Sequence, residues 1–177
     1  MLETMRLKLR RFKLSDVHNM IELEADPEVM KFTPSRIPQS LDQTETRLKS
    51  LVEQETANSP FGVWAIELKE SGGFVGWMML LKSQNECPEL GFMVVRRHWN
   101  KGLTTEAATC LIEFGFNELL VPAIVATTDR DNHSSKRVLS KLGFLFVKAI
   151  LVPDKILQQD IFLDVFELPK QPDPTIF

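Results

Sequence analysis

The stretch Trp99-Asn100-Lys101-Gly102-Leu103-Thr104-Thr105-Glu106-Ala107 decides the fold of this chain, because it joins an apolar run ending at Val95 to an amphipathic helix. A strand that ends at a glycine-containing loop and continues as a helix directs unpaired backbone N–H groups and the positive helix end at one point. The stretch therefore predicts a cradle for an anionic cofactor, to which Lys101 adds a full positive charge. The residues of the predicted cradle are Asn100, Lys101, Gly102, Leu103, Thr104 and Thr105.

Two common nucleotide-binding loops do not fit this stretch. The phosphate loop of nucleoside triphosphatases requires G-x-x-x-x-G-K-[ST], whereas Lys101 precedes Gly102 here and Arg97 stands where the earlier glycine belongs. The dinucleotide fingerprint requires G-x-G-x-x-G, and this loop has one glycine. The spacing therefore excludes both readings.

A second informative stretch is Asp131-Asn132-His133-Ser134-Ser135-Lys136-Arg137-Val138-Leu139-Ser140-Lys141-Leu142-Gly143-Phe144. Asp131 or Asn132 is suited to cap a helix by accepting a hydrogen bond from its first N–H groups. Gly143 stands where a left-handed residue ends a helix, and Phe144 is placed to fold back on the helix in a Schellman closure. The stretch therefore predicts a short helix with a defined start and end.

Together the two stretches resemble the GCN5-related N-acetyltransferase (GNAT) superfamily. The first is similar to its pyrophosphate-binding loop, Q/R-x-x-G-x-G/A, in the variant W-G-K-G-Y-A-T-E-A typical of ribosomal-protein N-terminal acetyltransferases. Asn100, Leu103 and Thr104 replace the Gly, Tyr and Ala of that variant. The second stretch resembles the family helix N-x-x-S-x-x-V-L-x-K-L-G-F. The resemblance extends from a strand at Arg6–Arg10 to one at Asp164–Leu168 and so covers nearly the whole chain.

Apolar periodicity predicts an α+β fold in one domain over residues 1–170, followed by a loose, proline-rich tail at 171–177. Predicted strands lie near residues 5–12, 61–68, 74–81, 89–95, 123–128, 144–152 and 161–168. The resemblance implies a mixed, mostly antiparallel central sheet of about seven strands flanked by about four helices, split at its centre. With 177 residues, of which 44% are hydrophobic, the chain is long enough for one sizeable core.

Composition limits the function classes. The net charge of −3 gives no basic excess, so we expect no primary role on nucleic acid. No apolar run has the length of a membrane span and no secretory signal is present, so we expect a reduced, cytoplasmic protein that does not bind membranes. Cys87, Cys110, His98 and His133 show no metal-ligand spacing, so we expect no metal.

The resemblance implies acetyl-CoA as the co-substrate. In the family the pantetheine arm pairs like an extra strand with the strand before the loop, which places Met93, Val94 and Val95 along the arm. A backbone N–H there would donate to the thioester oxygen, and the side chain of Asn132 would hold a pantetheine amide. The resemblance also implies an amine-bearing acceptor, either a peptide N-terminus or a small molecule, and allows a homodimer.

The leaving thiolate needs a hydrogen-bond donor, for which many members of the family use a tyrosine. This chain contains no tyrosine. Ser135 matches the serine of N-x-x-S, and its hydroxyl is able to donate to a developing thiolate. Capping of the helix is the alternative role for both Ser135 and Asn132.

The attacking amine must lose a proton, directly or through water. Glu89 is the first candidate base, because period-two alternation places Glu89, Gly91, Met93 and Val95 on one face of the strand that leads to the loop. Glu86 and His133 are the alternatives. The sequence thus predicts an acetyl-CoA-dependent N-acetyltransferase acting by direct attack in a ternary complex. The missing tyrosine and the altered loop leave open an acyl-CoA-binding sensor without turnover.

Overall fold

The computed structural model describes residues 2–54, 59–82 and 87–171. These residues form one mixed sheet with the strand order β1-β2-β3-β4-β5-β6-β8-β7. Neighbouring strands are antiparallel except β5 and β6, which are parallel. The eight strands are β1 (Leu2–Glu3), β2 (Leu7–Arg11), β3 (Gly62–Leu68), β4 (Phe74–Leu81), β5 (Glu89–Val94), β6 (Ala123–Asp129), β7 (Leu145–Asp154) and β8 (Gln159–Pro169). The predicted mixed, mostly antiparallel sheet is confirmed. The extra strand, β1, is two residues long, too short to show periodicity.

Five α-helices lie against the sheet in the described part of the chain. They are α1 (Val17–Glu24), α2 (Pro27–Met30), α3 (Leu41–Gln54), α4 (Leu103–Asn117) and α5 (His133–Lys141). Short 3₁₀ helices precede α1 and follow β5, at Leu14–Asp16 and Arg96–His98. The helix beyond the four predicted is α2, a single turn in which Pro27 takes a first-turn position and the Asp26 carboxylate accepts from the Glu28 N–H at 2.9 Å.

The core divides into two clusters, one on each face of the sheet. The first packs α4 and α5 on the sheet through residues such as Leu80, Leu111 and Leu139. The second packs α1, α2 and α3 on the opposite face, through residues such as Met20 and Trp77. Strand β5 contributes to both, because its residues alternate between the faces. The helices thus cover the sheet on both sides of β5, the strand that leads to the predicted cradle.

The predicted end of α5 is confirmed. Gly143 has φ +86°, its N–H donates to the Ser140 carbonyl at 3.1 Å, and the Phe144 N–H donates to the Leu139 carbonyl at 3.0 Å. These are the two hydrogen bonds of a Schellman motif. The local sequence therefore fixes where the chain leaves α5 and enters β7.

The C-terminal half closes with a long hairpin of β7 and β8, in which β7 is the edge strand of the sheet. The domain limit at residue 170 remains a prediction, and residues 172–177 of the predicted tail lie outside the described residues. In the part of the chain that the structure describes, no helix is long and apolar enough to cross a membrane. A cytoplasmic location remains a prediction.

Candidate active site

Strands β5 and β6 separate to form a cleft. Glu89, at the start of β5, is in register with Val125 of β6, and the Val125 N–H donates to the Pro88 carbonyl at 2.9 Å. This is the single register pair between these two strands among the described residues. Further along, β5 pairs with β4 and β6 pairs with β8. The parallel strands therefore open toward their carboxyl ends, which leaves one edge of β5 without a neighbouring strand.

The backbone groups that face this cleft follow from the pairing of β5 with β4. The Val95 N–H donates to the Val75 carbonyl at 2.9 Å, so alternation directs the backbone of Met93 toward β4 as well. The N–H and C=O groups of Phe92 and Val94 point the opposite way, into the cleft. An extended ligand lying in the cleft would therefore pair with Phe92 and Val94, while Met93 and Val95 only flank it.

The Trp99 side chain already forms a hydrogen bond with one of these cleft-facing backbone groups. Its indole Nε1–H donates to the Val94 carbonyl at 2.7 Å, while the residue as a whole remains 38% exposed. The Val94 N–H is therefore the group at this position still directed at the cleft. The sequence predicted Trp99 only as part of the loop motif. An indole N–H that needs an acceptor, five residues after the end of a strand, was the signal for this contact.

The predicted cradle has the expected backbone geometry. Asn100 and Gly102 both adopt left-handed conformations, with φ +59° and +73°, and α4 begins at Leu103. The first bond of the helix runs from the Glu106 N–H to the Gly102 carbonyl at 3.0 Å. The N–H groups of Leu103, Thr104 and Thr105 precede that bond and therefore have no acceptor within the helix. Gly102 provides no side-chain cap, so these groups are directed at the space beyond the helix start.

The three replacements in the loop are compatible with this geometry. Asn100 replaces a glycine of the family loop, and asparagine tolerates the left-handed conformation better than most residues. The Leu103 side chain is 4% exposed and packs into the first core cluster, so Leu103 offers the cradle its backbone alone. Thr104 is half-buried at the second helix position. None of the three changes closes the cradle.

Lys101 supplies the positive charge beside the cradle. Arg96 is paired with Asp26 at 3.1 Å, and Arg97 is paired with Glu22 and donates to the Phe74 carbonyl at 3.1 Å. The Lys101 side chain is exposed and has no hydrogen bond or ion pair within the described ranges. Lys101 is therefore the cation most available to a phosphate.

His98, beneath the loop, adds no charge to the cradle. Burial, followed by the positive charges of Arg97 and Lys101, lowers the pKa of His98. Its ring is therefore neutral near pH 7. Burial and the nearby charge of Glu113 likewise raise the pKa of the Cys110 thiol, which disfavours a nucleophilic role for that side chain. No group of three potential metal ligands occurs among the residues with described positions.

Helix α5 brings Asn132 and Ser135 to the same end of the sheet, because it starts just after β6 ends at Asp129. The Asn132 side-chain carbonyl accepts from the Ser135 N–H at 3.0 Å, which is the capping role the sequence allowed. The Asn132 amide N–H groups and the Ser135 hydroxyl are left to act as donors. Both residues are half-buried, so capping leaves part of each accessible.

Glu89 lies at the closed end of the cleft, where β5 and β6 are still paired. It shares a strand face with Met93, which belongs to the second core cluster, as predicted. At ~3.3 Å per residue, four residues separate Glu89 from Met93 by about 13 Å. Glu89 therefore reaches the carboxyl end of β5, where Met93 and Val94 lie, only through water. His133 lies exposed in the first turn of α5, and Glu86 lies outside the described residues.

Comparison with known proteins identifies the family. A model of the acetyltransferase (GNAT) domain matches residues 6–145. An uncharacterized N-acetyltransferase, p20 of Bacillus licheniformis, is 33% identical over 147 residues, which are 81% of each chain. Among solved structures, a GNAT-family acetyltransferase from Bacillus anthracis has a TM-score of 0.85 at 22% identity and covers 95% of this chain and 97% of that one. RimL, described as a ribosomal L7/L12 alpha-N-protein acetyltransferase in complex with coenzyme A, has a TM-score of 0.79 at 12% identity, with 96% and 97% covered.

The fold and the matched domain define an acyltransferase of the GNAT type. The chain belongs to the GNAT acetyltransferase family, and the predicted enzyme class, an N-acetyltransferase, is confirmed. The two structural similarities lie below 25% identity and show the fold alone.

Proposed function

We propose that this protein transfers an acetyl group from acetyl-CoA to a primary amine by direct attack in a ternary complex. The observation that carries the proposal is the position of the free β5 edge, which runs directly into the backbone cradle at the start of α4. One extended donor would contact both features, with its pyrophosphate at the cradle and its arm along β5. The fold supports this placement because the loop and the edge belong to one continuous segment.

The donor would be held mainly by backbone groups. The N–H groups of Leu103, Thr104 and Thr105 would donate to the pyrophosphate, with the charge of Lys101 beside them. The Val94 N–H would donate to the thioester oxygen and stabilise the negative charge that develops there. The Asn132 amide would hold the arm on the α5 side of the cleft.

One side chain would accept the proton of the amine, and another would stabilise the leaving thiolate. Glu89 would accept, through water, the proton that the acceptor amine loses as its nitrogen forms the new C–N bond. The Ser135 hydroxyl would donate a hydrogen bond to the thiolate released as the C–S bond breaks, and solvent would then protonate that sulfur. Because a coenzyme thiolate is a tolerable leaving group, the absence of tyrosine is compatible with turnover.

The acceptor belongs to one of two classes, a protein N-terminus or a small-molecule amine. RimL, whose description names a ribosomal protein as its substrate, shares the fold, which supports the first class. A panel containing N-terminal peptides, polyamines and amino acids distinguishes the classes, with released CoA measured by a thiol reagent.

A homodimer is also part of this proposal, and β7 is the surface it would use. Leu145 and Phe146 on this edge strand are 65% and 58% exposed, and an uncovered apolar edge favours pairing with another strand. Sedimentation of the wild type beside a Phe146→Lys variant tests this, because a β7 dimer would become monomeric in the variant.

A catalytically silent acyl-CoA sensor is the competing function. It is favoured by the complete lack of tyrosine. Acetyl-CoA binding with saturable release of CoA in the presence of an amine supports the enzyme. Tight binding without turnover across the panel supports the sensor.

A further inference from the structure

We propose that Arg6 and Glu106 form a positioning pair that fixes the Lys101–Gly102 peptide, so that the Gly102 N–H is directed at the phosphates of the coenzyme. The inference rests on the proposed function, because it concerns the same loop. It adds two residues to the machinery that holds the donor: Glu106, in the first turn of α4, and Arg6, which lies in the turn between β1 and β2 and is distant from the loop in sequence.

Glu106 connects the first turn of α4 to the N-terminal hairpin. Its Oε1 accepts from the Thr4 hydroxyl at 2.5 Å and from the Arg6 N–H at 2.9 Å. Its Oε2 accepts from Arg6 Nε at 2.6 Å and lies 2.6 Å from Arg6 Nη2. The carboxylate therefore holds both the backbone and the side chain of Arg6, which gives the guanidinium one orientation.

The oriented guanidinium in turn holds the loop. Arg6 Nη1 donates to the Lys101 carbonyl at 3.2 Å. In a trans peptide the C=O and the following N–H point in opposite directions, and the described chain contains no cis peptide. Because the Lys101 carbonyl is directed at Arg6, the Gly102 N–H is directed away from it. This orientation adds a fourth N–H to those of Leu103, Thr104 and Thr105.

The pair affects the ligand by orienting the loop peptide, because the opposite charges of Arg6 and Glu106 compensate each other. Burial opposes ionisation of Glu106, but the hydrogen bonds from Thr4 and Arg6 outweigh it and hold the pKa of this carboxyl below its usual value. An ionised carboxylate in the first helix turn would by itself repel a phosphate, and the adjacent guanidinium compensates for it. A direct electrostatic role for Arg6 and a positioning role therefore predict opposite effects of neutralising Glu106.

Calorimetric titration with acetyl-CoA tests the proposal with four variants of the full chain. We expect Arg6→Ala, Arg6→Lys and Glu106→Gln each to raise the Kd about tenfold, the effect of losing one charged hydrogen bond. The Arg6→Ala/Glu106→Gln double variant should bind no more weakly than the weaker single variant, because both changes release the same peptide. Melting temperatures establish that each variant is folded.

Lys69→Ala is the matched control. Lys69, just after β3, forms an ion pair at 2.8 Å with Glu3 of the N-terminal hairpin. Within the described part of the chain, neither side chain has a hydrogen bond or ion pair with the loop. Its Kd should equal that of the wild type. In ¹⁵N-labelled protein, the Gly102 amide resonance should move downfield on binding, and less so in Arg6→Ala.

Three results would overturn the proposal. Tighter binding by Glu106→Gln would show that charge, not geometry, is what the pair contributes. Full affinity in Arg6→Lys would show that the fixed guanidinium is unnecessary. A Gly102 amide that does not move when the wild type binds would show that this N–H does not contact the ligand. Failure of the wild type itself to bind acetyl-CoA would instead contradict the proposed function.

Discussion

Nη2 of Arg36 lies 2.5 Å from Oδ2 of Asp129, which connects the loop after α2 to the last residue of β6. Arg36 also pairs with Asp154, at the end of β7. Ten residues earlier, Asp26 pairs with Arg96 just beyond the end of β5. The segment 26–36 therefore passes from the end of β5 to the end of β6, across the open end of the cleft. It borders the cleft on the face of the sheet that α1 and α3 cover.

Arg36→Ala should destabilise the protein strongly. The Arg36 side chain is 9% exposed, and its removal leaves the carboxylates of Asp129 and Asp154 buried without their cation. Breaking a buried ion pair in this way costs about 3–5 kcal/mol of unfolding free energy, or roughly 6–20 °C in melting temperature for a chain of this size. Thermal denaturation measures this fall in melting temperature. Glu53→Gln, which breaks the exposed Lys49–Glu53 pair, is the control and should change the unfolding free energy by less than about 0.5 kcal/mol. Equal effects of the two variants would contradict the role of Arg36.

The stability of the protein should fall in acid partly through Asp16. Burial opposes ionisation of Asp16, but hydrogen bonds from Arg10 and from the Lys13 N–H outweigh it and hold its pKa below the usual value. The folded state then binds fewer protons than the unfolded state, so this stabilisation is complete above the unfolded pKa of about 3.9 and is lost as pH falls through the lower, folded pKa. Urea unfolding between pH 7 and pH 3 should show a shallower acid loss in Asp16→Asn than in the wild type. Parallel curves would contradict this assignment.

Trp99 should report coenzyme binding by fluorescence. The protein has three tryptophans, of which Trp64 and Trp77 are 4% and 8% exposed, whereas Trp99 is 38% exposed at the cleft. Acetyl-CoA should therefore change the emission of the wild type, and Trp99→Phe should abolish that change. The same variant loses the bond to the Val94 carbonyl, so we expect a Kd raised about fivefold, on the scale of one neutral hydrogen bond. A change in emission that persists in Trp99→Phe would place the coenzyme elsewhere.

Substitutions of the two candidate bases, Glu89 and His133, should have different effects on kcat. If Glu89 accepts the proton through water, Glu89→Gln lowers kcat by about 10²-fold, with little change in the acetyl-CoA Kd. His133→Asn should then leave kcat unchanged. The reverse pattern would assign the proton transfer to the exposed imidazole at the start of α5.

The features that the sequence predicted well are those that depend on residues close together in the chain. The loop that opens α4 at Gly102, the cap at Asn132 and the closure at Gly143 each depend on backbone conformations within a few residues of one another. The contacts it missed join distant segments, as in Arg6 with Glu106 and Arg36 with Asp129, where no local pattern links the partners. The Trp99 contact is intermediate between these cases. Its partner Val94 is close in sequence, but the Val94 carbonyl is free to accept only because β6 separates from β5 there.

The central claim, that the start of α4 binds the coenzyme, is tested most directly by calorimetric titration of Gly102→Ala and Gly72→Ala with acetyl-CoA. Both glycines have left-handed φ values, +73° and +69°, and an added Cβ would meet only Arg6 at 3.6 Å in the first case and nothing within 4 Å in the second. Each substitution should therefore cost a similar ~1–2 kcal/mol of stability through backbone strain alone. We expect the wild type and Gly72→Ala to bind acetyl-CoA with the same micromolar Kd and to bind ATP much more weakly. Gly102→Ala should bind acetyl-CoA at least about tenfold more weakly than either. No binding by the wild type, or equal binding by the two variants, would contradict the central claim.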